Sequence, residues 1–291
     1  MSGRRFKQVD VFTRIPFLGN PVAVVLDADG LSTEQMQRIA GWTNLSETAF
    51  VLSPTMPDTD YRIRIFTPRA ELPFAGHPTL GSAHAVVEAG IVSPRDGRLR
   101  QECGAGLVEL AIEEHSAARL WLESPARTLS ALTPAQLEPL EQALGVRIER
   151  EPLPQVVDVG PSWLVARLAD AQCVAVLVPD SAAIAALSTA LGITGVVVFG
   201  AANDGVSAIH LRAFAPAHGV PEDPVCGSGN ISVAAFAAKT GWLQQIGTRY
   251  LARQGMQFGR DGRVALRVAD AGETIWLGGD AVTCVDGTLQ A

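Results

Sequence analysis

The chain contains no uninterrupted apolar segment of the roughly 18–20 residues that are needed to cross a bilayer. A cluster of lysine and arginine is also missing, and the formal net charge is −7. Nucleic-acid-binding domains present a basic surface, so these features exclude that class. The basic N-terminus reaches Asp10 before any apolar stretch begins, so no signal peptide is predicted. We therefore expect a cytoplasmic protein that binds neither membranes nor nucleic acid.

Cysteine is scarce as well, because the chain has only four, and they form no CxxC pair. This spacing predicts reduced thiols, the usual state in a cytoplasm. The five histidines show no spacing typical of metal ligands, so no metal site is predicted. A GK[ST] phosphate loop is absent, and the glycine-rich run at 227–229 follows Pro-Glu-Asp-Pro instead of a strand. Both facts argue against a nucleotide cofactor.

An internal repeat is the main feature that the sequence does contain. The matched pairs are Arg64-Ile-Phe66 with Arg212-Ala-Phe214, Pro73 with Pro224, and Gly90 with Gly241. The first pair is 148 residues apart and the other two are 151 apart, so the second copy carries three extra residues. Each copy has a turn of small residues before a helix, and backbone N–H groups at such helix starts favour an anion. A duplicated chain of 291 residues predicts two domains with one site in the cleft between them.

The same order of elements is predicted in both halves: two strands, a helix, two strands, a turn and a helix. The second strand is expected at Val22–Asp27 in the first half and at Val174–Asp180 in the second. Ser32 followed by Gln35 predicts a capping box for the first helix. The alanine-rich run Ser181–Leu191 predicts the corresponding helix of the second half.

A helix of small residues follows each turn, at 81–87 and at 232–238. These helices are apolar on nearly all sides, which predicts that they are buried. A buried helix surrounded by mostly antiparallel strands is a barrel-like α+β domain, and the sparse strand–helix alternation argues against a doubly wound parallel sheet. The predicted fold class is therefore α+β, with two pseudo-symmetric domains. A linker near residues 124–131 separates the domain 1–126 from the domain 127–275, and a lead-in helix ending about Gly145 opens the second.

Glu47 precedes an apolar strand, and the second half has no acidic residue at the comparable point. One carboxylate in only one half is what a single acid/base group requires. The alternative is a solvated glutamate at the entrance of a strand.

His77 and Ser228 are equivalent under the repeat, since each directly follows the glycine of its turn, Gly76 or Gly227. The positive end of a helix dipole disfavours an imidazolium, so His77 is expected to act as a neutral hydrogen-bonding group. The alternative is that His77 only caps its helix.

Two further candidates lie beside the second turn. Asp223 precedes Pro224, where it either holds a polar group of a substrate or serves as ordinary turn chemistry. Cys226 precedes Gly227, where it either gains thiolate character from the helix start or is a small buried apolar residue. Its counterpart in the first turn is Ala75, so no pair of thiols exists.

Together these motifs resemble the phenazine-biosynthesis isomerase family (PhzF-like), which shares its fold with diaminopimelate epimerase. The segments that carry the resemblance are Val9-Asp-Val-Phe12, Gly19-Asn-Pro-Val-Ala-Val24, Asn44-Leu-Ser-Glu47, Phe66-Thr-Pro68, Ala75-Gly-His-Pro78 and Glu222-Asp-Pro-Val-Cys-Gly-Ser-Gly-Asn230. Each is weak alone, but they occur in the expected order and span residues 9 to 230.

The resemblance implies two strand-rich barrels, each around a helix, with residues 276–291 completing the first. It implies cofactor-independent proton transfer that moves a double bond in a small carboxylated substrate, and a homodimer. By position, Glu47 matches the acid/base of the family, and His77, Asp223 and Ser228 match its supporting groups. The turn amides at Gly76 and Gly227 match those that receive the substrate.

The sequence therefore predicts an isomerase that uses Glu47, His77 and Asp223 for catalysis, and Gly76, Gly227 and Ser228 for substrate binding. One alternative is a racemase or epimerase with Glu47 and Cys226 as unlike bases on opposite faces of one carbon. A second alternative, from another class, is a non-catalytic binder of small carboxylates.

Overall fold

The computed structural model describes residues 3–115 and 117–291, except for the side chains of residues 114–118. The chain divides into two compact units. The first unit is the described part of Met1–Leu122 together with Gly278–Ala291, and the second is Glu123–Leu277. The longest helix of the described residues has 14 residues, too few to cross a bilayer.

The helices and strands follow one another along the chain in two similar series, and the last strand of the second series returns to the first unit. The first series is β1 (Gly3–Val11), β2 (Asn20–Val25), α1 (Thr33–Thr43), β3 (Thr48–Leu52), β4 (Tyr61–Phe66), β5 (Glu71–Leu72), α2 (Gly76–Glu88), β6 (Arg98–Cys103), β7 (Gly106–His115) and β8 (Ala117–Glu123). The second is β9 (Thr128–Ala131), α3 (Pro134–Leu144), β10 (Gln155–Asp158), β11 (Ser162–Arg167), α4 (Ala171–Ala175), α5 (Ser181–Leu191), β12 (Gly195–Ala201), β13 (Ile209–Ala215), β14 (Val220–Asp223), α6 (Gly227–Thr240), α7 (Leu243–Ile246), β15 (Arg249–Gln254), β16 (Gly262–Ala269), β17 (Thr274–Gly279) and β18 (Ala281–Gln290).

Strand pairing in the first unit is mostly antiparallel. The antiparallel pairs are β1 with β2 and with β18, β3 with β4, β4 with β5, β6 with β7, and β7 with β8. Two pairs are parallel, β2 with β3 across α1 and β4 with β6 across α2. A helix is needed at these two places because parallel neighbours require a crossover connection.

The second unit has an equivalent for each of the pairs that involve β1 to β6. β10 pairs antiparallel with β9 and β11, β12 with β13, β13 with β14, and β15 with β16. The parallel pairs are β11 with β12, across α4 and α5, and β13 with β15, across α6. The predicted α+β fold with a duplicated, strand-rich unit is confirmed.

The helix boundaries agree with the local sequence signals. Ser32 caps α1, accepting a hydrogen bond from the Gln35 amide at 3.3 Å, while the Gln35 side chain accepts one from the Ser32 amide at 2.8 Å. This is the predicted capping box. α5 covers Ser181–Leu191 as predicted, and α3 ends at Gly145, whose φ of 69° lies in the left-handed region.

One predicted strand is wrong. The segment Val174–Asp180 is not the second strand of its unit, because α4 occupies its beginning. The Asp170 carboxylate accepts a hydrogen bond from the Cys173 amide at 2.8 Å and thereby caps α4. The second strand is instead β11, which pairs with β10 as β2 pairs with β1.

The two small-residue helices are buried as predicted. In α2, a Cβ on Gly81 would lie 2.4 Å from Cγ1 of Val22, so glycine is what lets the helix approach β2. In α6, the Phe236 ring packs edge-to-face against Phe199 of β12, with centroids 5.7 Å apart. Each helix therefore lies in the core of its own unit.

Candidate active site

Glu47 lies in the short turn between α1 and β3. Helix α1 ends at Asn44, whose φ of 53° is left-handed, and β3 begins at Thr48. The Thr43 and Thr48 hydroxyls are 2.8 Å apart and tie the two ends of this turn together. β3 is itself paired on both sides, with β2 and β4, so the backbone next to Glu47 has little freedom.

The Glu47 carboxylate and the His77 imidazole lie close together within the first unit. Glu47 Oε2 is 3.4 Å from His77 Nε2, and the two side chains are 17% and 8% exposed. Burial raises the pKa of the Glu47 carboxyl to about 7, and a hydrogen bond with Ser46 opposes part of this rise. A carboxyl with this pKa is present near neutral pH in both forms, so it can accept and return a proton.

His77 is held by the beginning of α2. The helix starts at Gly76, and the N-cap Ala75 offers no side-chain hydrogen bond. α1, α4 and α5, in contrast, each begin with a polar cap whose side chain accepts a backbone N–H. The start of α2 therefore presents a positive dipole end without a protein side chain as its N-cap acceptor, which suits an anion.

An arginine–glutamate pair supports each turn, and it repeats with the fold. Arg64 contacts Glu71 through two hydrogen bonds of 2.7 and 2.6 Å, and Arg212 contacts Glu222 through two of 2.8 and 2.7 Å. Each guanidinium also lies over the phenylalanine two residues further on, at about 5 Å from the ring centroid. The Arg-x-Phe repeat was visible in the sequence, but its acidic partners were missed.

The second unit brings together Asp223, Cys226 and Ser228. An Asp223 carboxylate oxygen accepts a hydrogen bond from the Val225 amide at 3.0 Å. Cys226 caps α6, since its Sγ accepts the Gly229 amide at 3.3 Å. Sγ is also 3.5 Å from the Ser228 hydroxyl.

The Cys226 thiol is buried. Burial, together with the charge of Asp223, raises the pKa of this thiol well above its usual 9.0. This direction favours the second interpretation, a small buried residue, over thiolate character. Cys226 acts as a buried cap whose sulfur accepts a backbone hydrogen bond.

Gln254 is a buried residue that sequence reasoning missed. Its side-chain nitrogen donates to the Asp223 carbonyl at 2.8 Å, and its side-chain oxygen accepts the Cys226 amide at 2.9 Å and the Asn230 side chain at 3.3 Å. This one carboxamide joins both sides of the turn before α6. No signal could have found it, because the equivalent residue of the first copy is Cys103.

Trp163 is a second missed residue. It lies in β11, is 4% exposed, and donates its indole N–H to the Ser228 hydroxyl oxygen at 2.9 Å. The predicted site residues thus fall into two groups, Glu47, Gly76 and His77 in the first unit and Asp223, Cys226, Gly227 and Ser228 in the second.

Solved structures define the class of this fold. A crystal structure of a probable proline racemase from Agrobacterium radiobacter superposes with a TM-score of 0.67 at 15% identity, covering 99% of this chain and 92% of that one. A phenazine biosynthesis protein of the PhzF family from Bacillus anthracis superposes with a TM-score of 0.87 at 24% identity, and both chains are fully covered. This chain therefore shares its fold with both of these proteins.

Sequence comparison narrows the class to one family. The family model described as "Phenazine biosynthesis-like protein" matches residues 9–287. The Antisense-enhancing sequence 1 protein of Schizosaccharomyces pombe is 40% identical over 297 residues, 99% of each chain. The trans-2,3-dihydro-3-hydroxyanthranilate isomerase of Pseudomonas aeruginosa is 36% identical over 276 residues, 93% of this chain and 92% of that one. The chain belongs to the PhzC-PhzF family of phenazine biosynthesis-like proteins, and it is an isomerase.

Proposed function

We propose that this isomerase moves a proton and a double bond within a small carboxylated substrate, that Glu47 is its acid/base, and that no cofactor takes part. The observation that carries the proposal is the buried Glu47 carboxyl, with its pKa raised to about 7, 3.4 Å from His77. A glutamate without a function at the start of a strand would be exposed to water, whereas the Glu47 side chain is only 17% exposed.

In the proposed reaction, the Glu47 carboxylate removes a proton from one carbon of the substrate. The electron pair of the broken C–H bond forms a new double bond to the neighbouring carbon, and the π electrons of the original double bond move to the far carbon, which is then protonated. Glu47 then returns the proton to that carbon, so atoms and charge balance without an oxidant or reductant. His77, next to the carboxyl, holds a polar group of the substrate while the proton is on Glu47.

The second unit is proposed to supply groups that bind the substrate. The Ser228 hydroxyl and the backbone N–H groups at the start of α6 receive the carboxylate, and Asp223 holds an amino or hydroxyl group. The proposal includes a homodimer, as the family resemblance implies. Multi-angle light scattering gives its mass directly.

The test is proton NMR in D₂O with trans-2,3-dihydro-3-hydroxyanthranilate, the compound in the name of the Pseudomonas aeruginosa relative. We expect wild-type protein to shift the double bond, and to place deuterium at the carbon that gains a proton in those turnovers in which the protonated Glu47 exchanges with D₂O before it returns the proton. Glu47→Gln removes the base with little change in side-chain shape. We expect this variant to be at least about 1,000-fold slower, which is the loss expected when a well-positioned general base is removed. A matched control is Glu151→Gln, which changes an exposed glutamate of the second unit.

Full activity of a folded Glu47→Gln variant would remove Glu47 from the mechanism. Deuterium exchange at one stereocentre without a shifted double bond would instead select the racemase or epimerase reaction. In that reaction the Glu47 carboxylate would remove the proton, and the Cys226 thiol, whose pKa is raised, would donate one from the opposite face.

A further inference from the structure

The hydrogen bond between Trp163 and Ser228 joins two elements of the second unit that are far apart in sequence. Trp163 lies in β11 and Ser228 is the second residue of α6. The indole nitrogen is 2.9 Å from the hydroxyl oxygen, and the Trp163 side chain is almost fully buried. Trp163 cannot move far, since β11 is paired with both β10 and β12.

The chemistry of the two groups gives this bond a direction. An indole N–H is a donor only, whereas a serine hydroxyl can donate or accept. Ser228 is therefore the acceptor, and one of its lone pairs is occupied. Its own hydrogen is the group left to donate, either to Cys226 Sγ, 3.5 Å away, or to a ligand at the start of α6.

The first unit has no hydrogen bond at the equivalent pair of positions, which shows that packing of the fold does not require one there. Trp163 is paired with Val157 of β10. Val9 of β1 is the equivalent of Val157 in the first unit, and it is paired with Val22. Val22 is therefore the equivalent of Trp163. Valine has no N–H, and the residue equivalent to Ser228 is His77. The Trp163–Ser228 pair thus belongs to the second unit alone.

We propose that Trp163 is a positioning residue that makes the Ser228 hydroxyl a hydrogen-bond donor, so that the start of α6 prefers a carboxylate to its uncharged ester. This inference rests on the proposed function and names how that site recognises its substrate class. A hydrogen bond to a charged oxygen is roughly twice as strong as one between neutral groups, and the positive end of the helix dipole adds to the same preference.

The experiment measures binding without turnover. The probes are 3-hydroxyanthranilate, a stable aromatic acid with carboxylate, amino and hydroxyl groups, and its methyl ester, each titrated by calorimetry. The variants are Trp163→Phe, Ser228→Ala and the double variant. Trp121→Phe is the matched control, because Trp121 is also buried and donates its indole N–H to a carboxylate, Glu113, at 2.9 Å.

We expect wild type to bind the acid more tightly than the ester. Each single variant should reduce this ratio of affinities about tenfold. The double variant should reduce it by at most about a further twofold, because both changes remove the same hydrogen bond. Trp121→Phe should leave the ratio unchanged. A ratio that Trp163→Phe does not alter, or losses that multiply in the double variant, would overturn the role of Trp163. Wild type that binds acid and ester equally, or binds neither, would contradict the carboxylate class in the proposed function and would overturn this inference with it.

A second measurement keeps the native tryptophan, in case Trp163→Phe does not fold. Protein labelled with ¹⁵N at the indole nitrogens is compared as wild type and as Ser228→Ala. Removing the hydroxyl should shift the Trp163 indole N–H signal and leave that of Trp121 in place. An unmoved Trp163 signal would show that the hydrogen bond is not formed in solution, and the inference would fail.

Discussion

His77 Nε2 lies 3.4 Å from Glu47 Oε2, although the two residues are thirty positions apart and belong to different elements. Glu47 ends a turn that leads into a central strand, and His77 opens a buried helix. Both supports are rigid, so the carboxyl and the imidazole stay close without a covalent or metal link. The pH response of the enzyme follows from this arrangement.

The rate of isomerisation should depend on the ionisation of Glu47. Only the carboxylate can remove a proton, and its pKa is raised to about 7. We therefore expect kcat/KM to fall about tenfold for each pH unit below about 7 and to level off above it. A profile measured from pH 5 to 9, with circular dichroism to verify folding at each pH, tests this. A kcat/KM that stays constant down to pH 5, as for a glutamate with the ordinary pKa of 4.5, would contradict the raised pKa.

Cys226 should resist alkylation in the native protein. Its thiol is 3% exposed and its pKa is raised well above 9.0, so thiolate is scarce at pH 8. We expect iodoacetamide to label the partly exposed Cys284 before Cys226, as read by mass spectrometry of the peptides. Early labelling of Cys226, in step with loss of activity, would revive the alternative of two unlike bases.

The two arginine–glutamate pairs should differ in their contribution to stability. Glu222 and Arg212 have side chains 10% and 6% exposed, whereas Glu71 and Arg64 are 40% and 27% exposed. Breaking a buried pair leaves a charge without its partner, so Glu222→Gln should lower the free energy of unfolding by about 3 kcal/mol. The equivalent Glu71→Gln should cost about 1 kcal/mol or less, because water screens the pair. Urea unfolding of both variants gives the comparison, and equal losses would contradict it.

Replacing Gln254 should reduce the rate of turnover. Replacing Gln101, a buried glutamine of the first unit that serves as the comparison, should not. Both amides are fully buried, but Gln254 binds the backbone on both sides of the second turn, whereas Gln101 bonds to the side chains of Tyr61 and Thr79. Methionine at either position removes the hydrogen bonds at similar volume and should cost about 1–3 kcal/mol of stability. We expect kcat/KM to fall at least about tenfold in Gln254→Met and less than about threefold in Gln101→Met. Equal kinetic losses would assign Gln254 a purely structural role.

Local signals were enough for much of the fold. The capping box at Ser32, the extent of the helix Ser181–Leu191 and the burial of the two small-residue helices depend on neighbouring residues in the chain, and all are confirmed. The segment Val174–Asp180 shows the limit of such signals. A short apolar run fits a strand or a helix equally well, and the cap at Asp170 decides for the helix.

What the sequence by itself determined is therefore the duplication, the caps, the buried helices and the motifs that mark the family. Only the tertiary structure decided that Trp163 reaches Ser228, that Gln254 holds the turn before α6, and that His77 lies beside Glu47. These partners are separated by 28 to 65 residues, and strand pairing, not spacing along the chain, brings them together. The raised pKa of Glu47 is likewise a property of the folded chain, because it arises from burial that no local pattern contains.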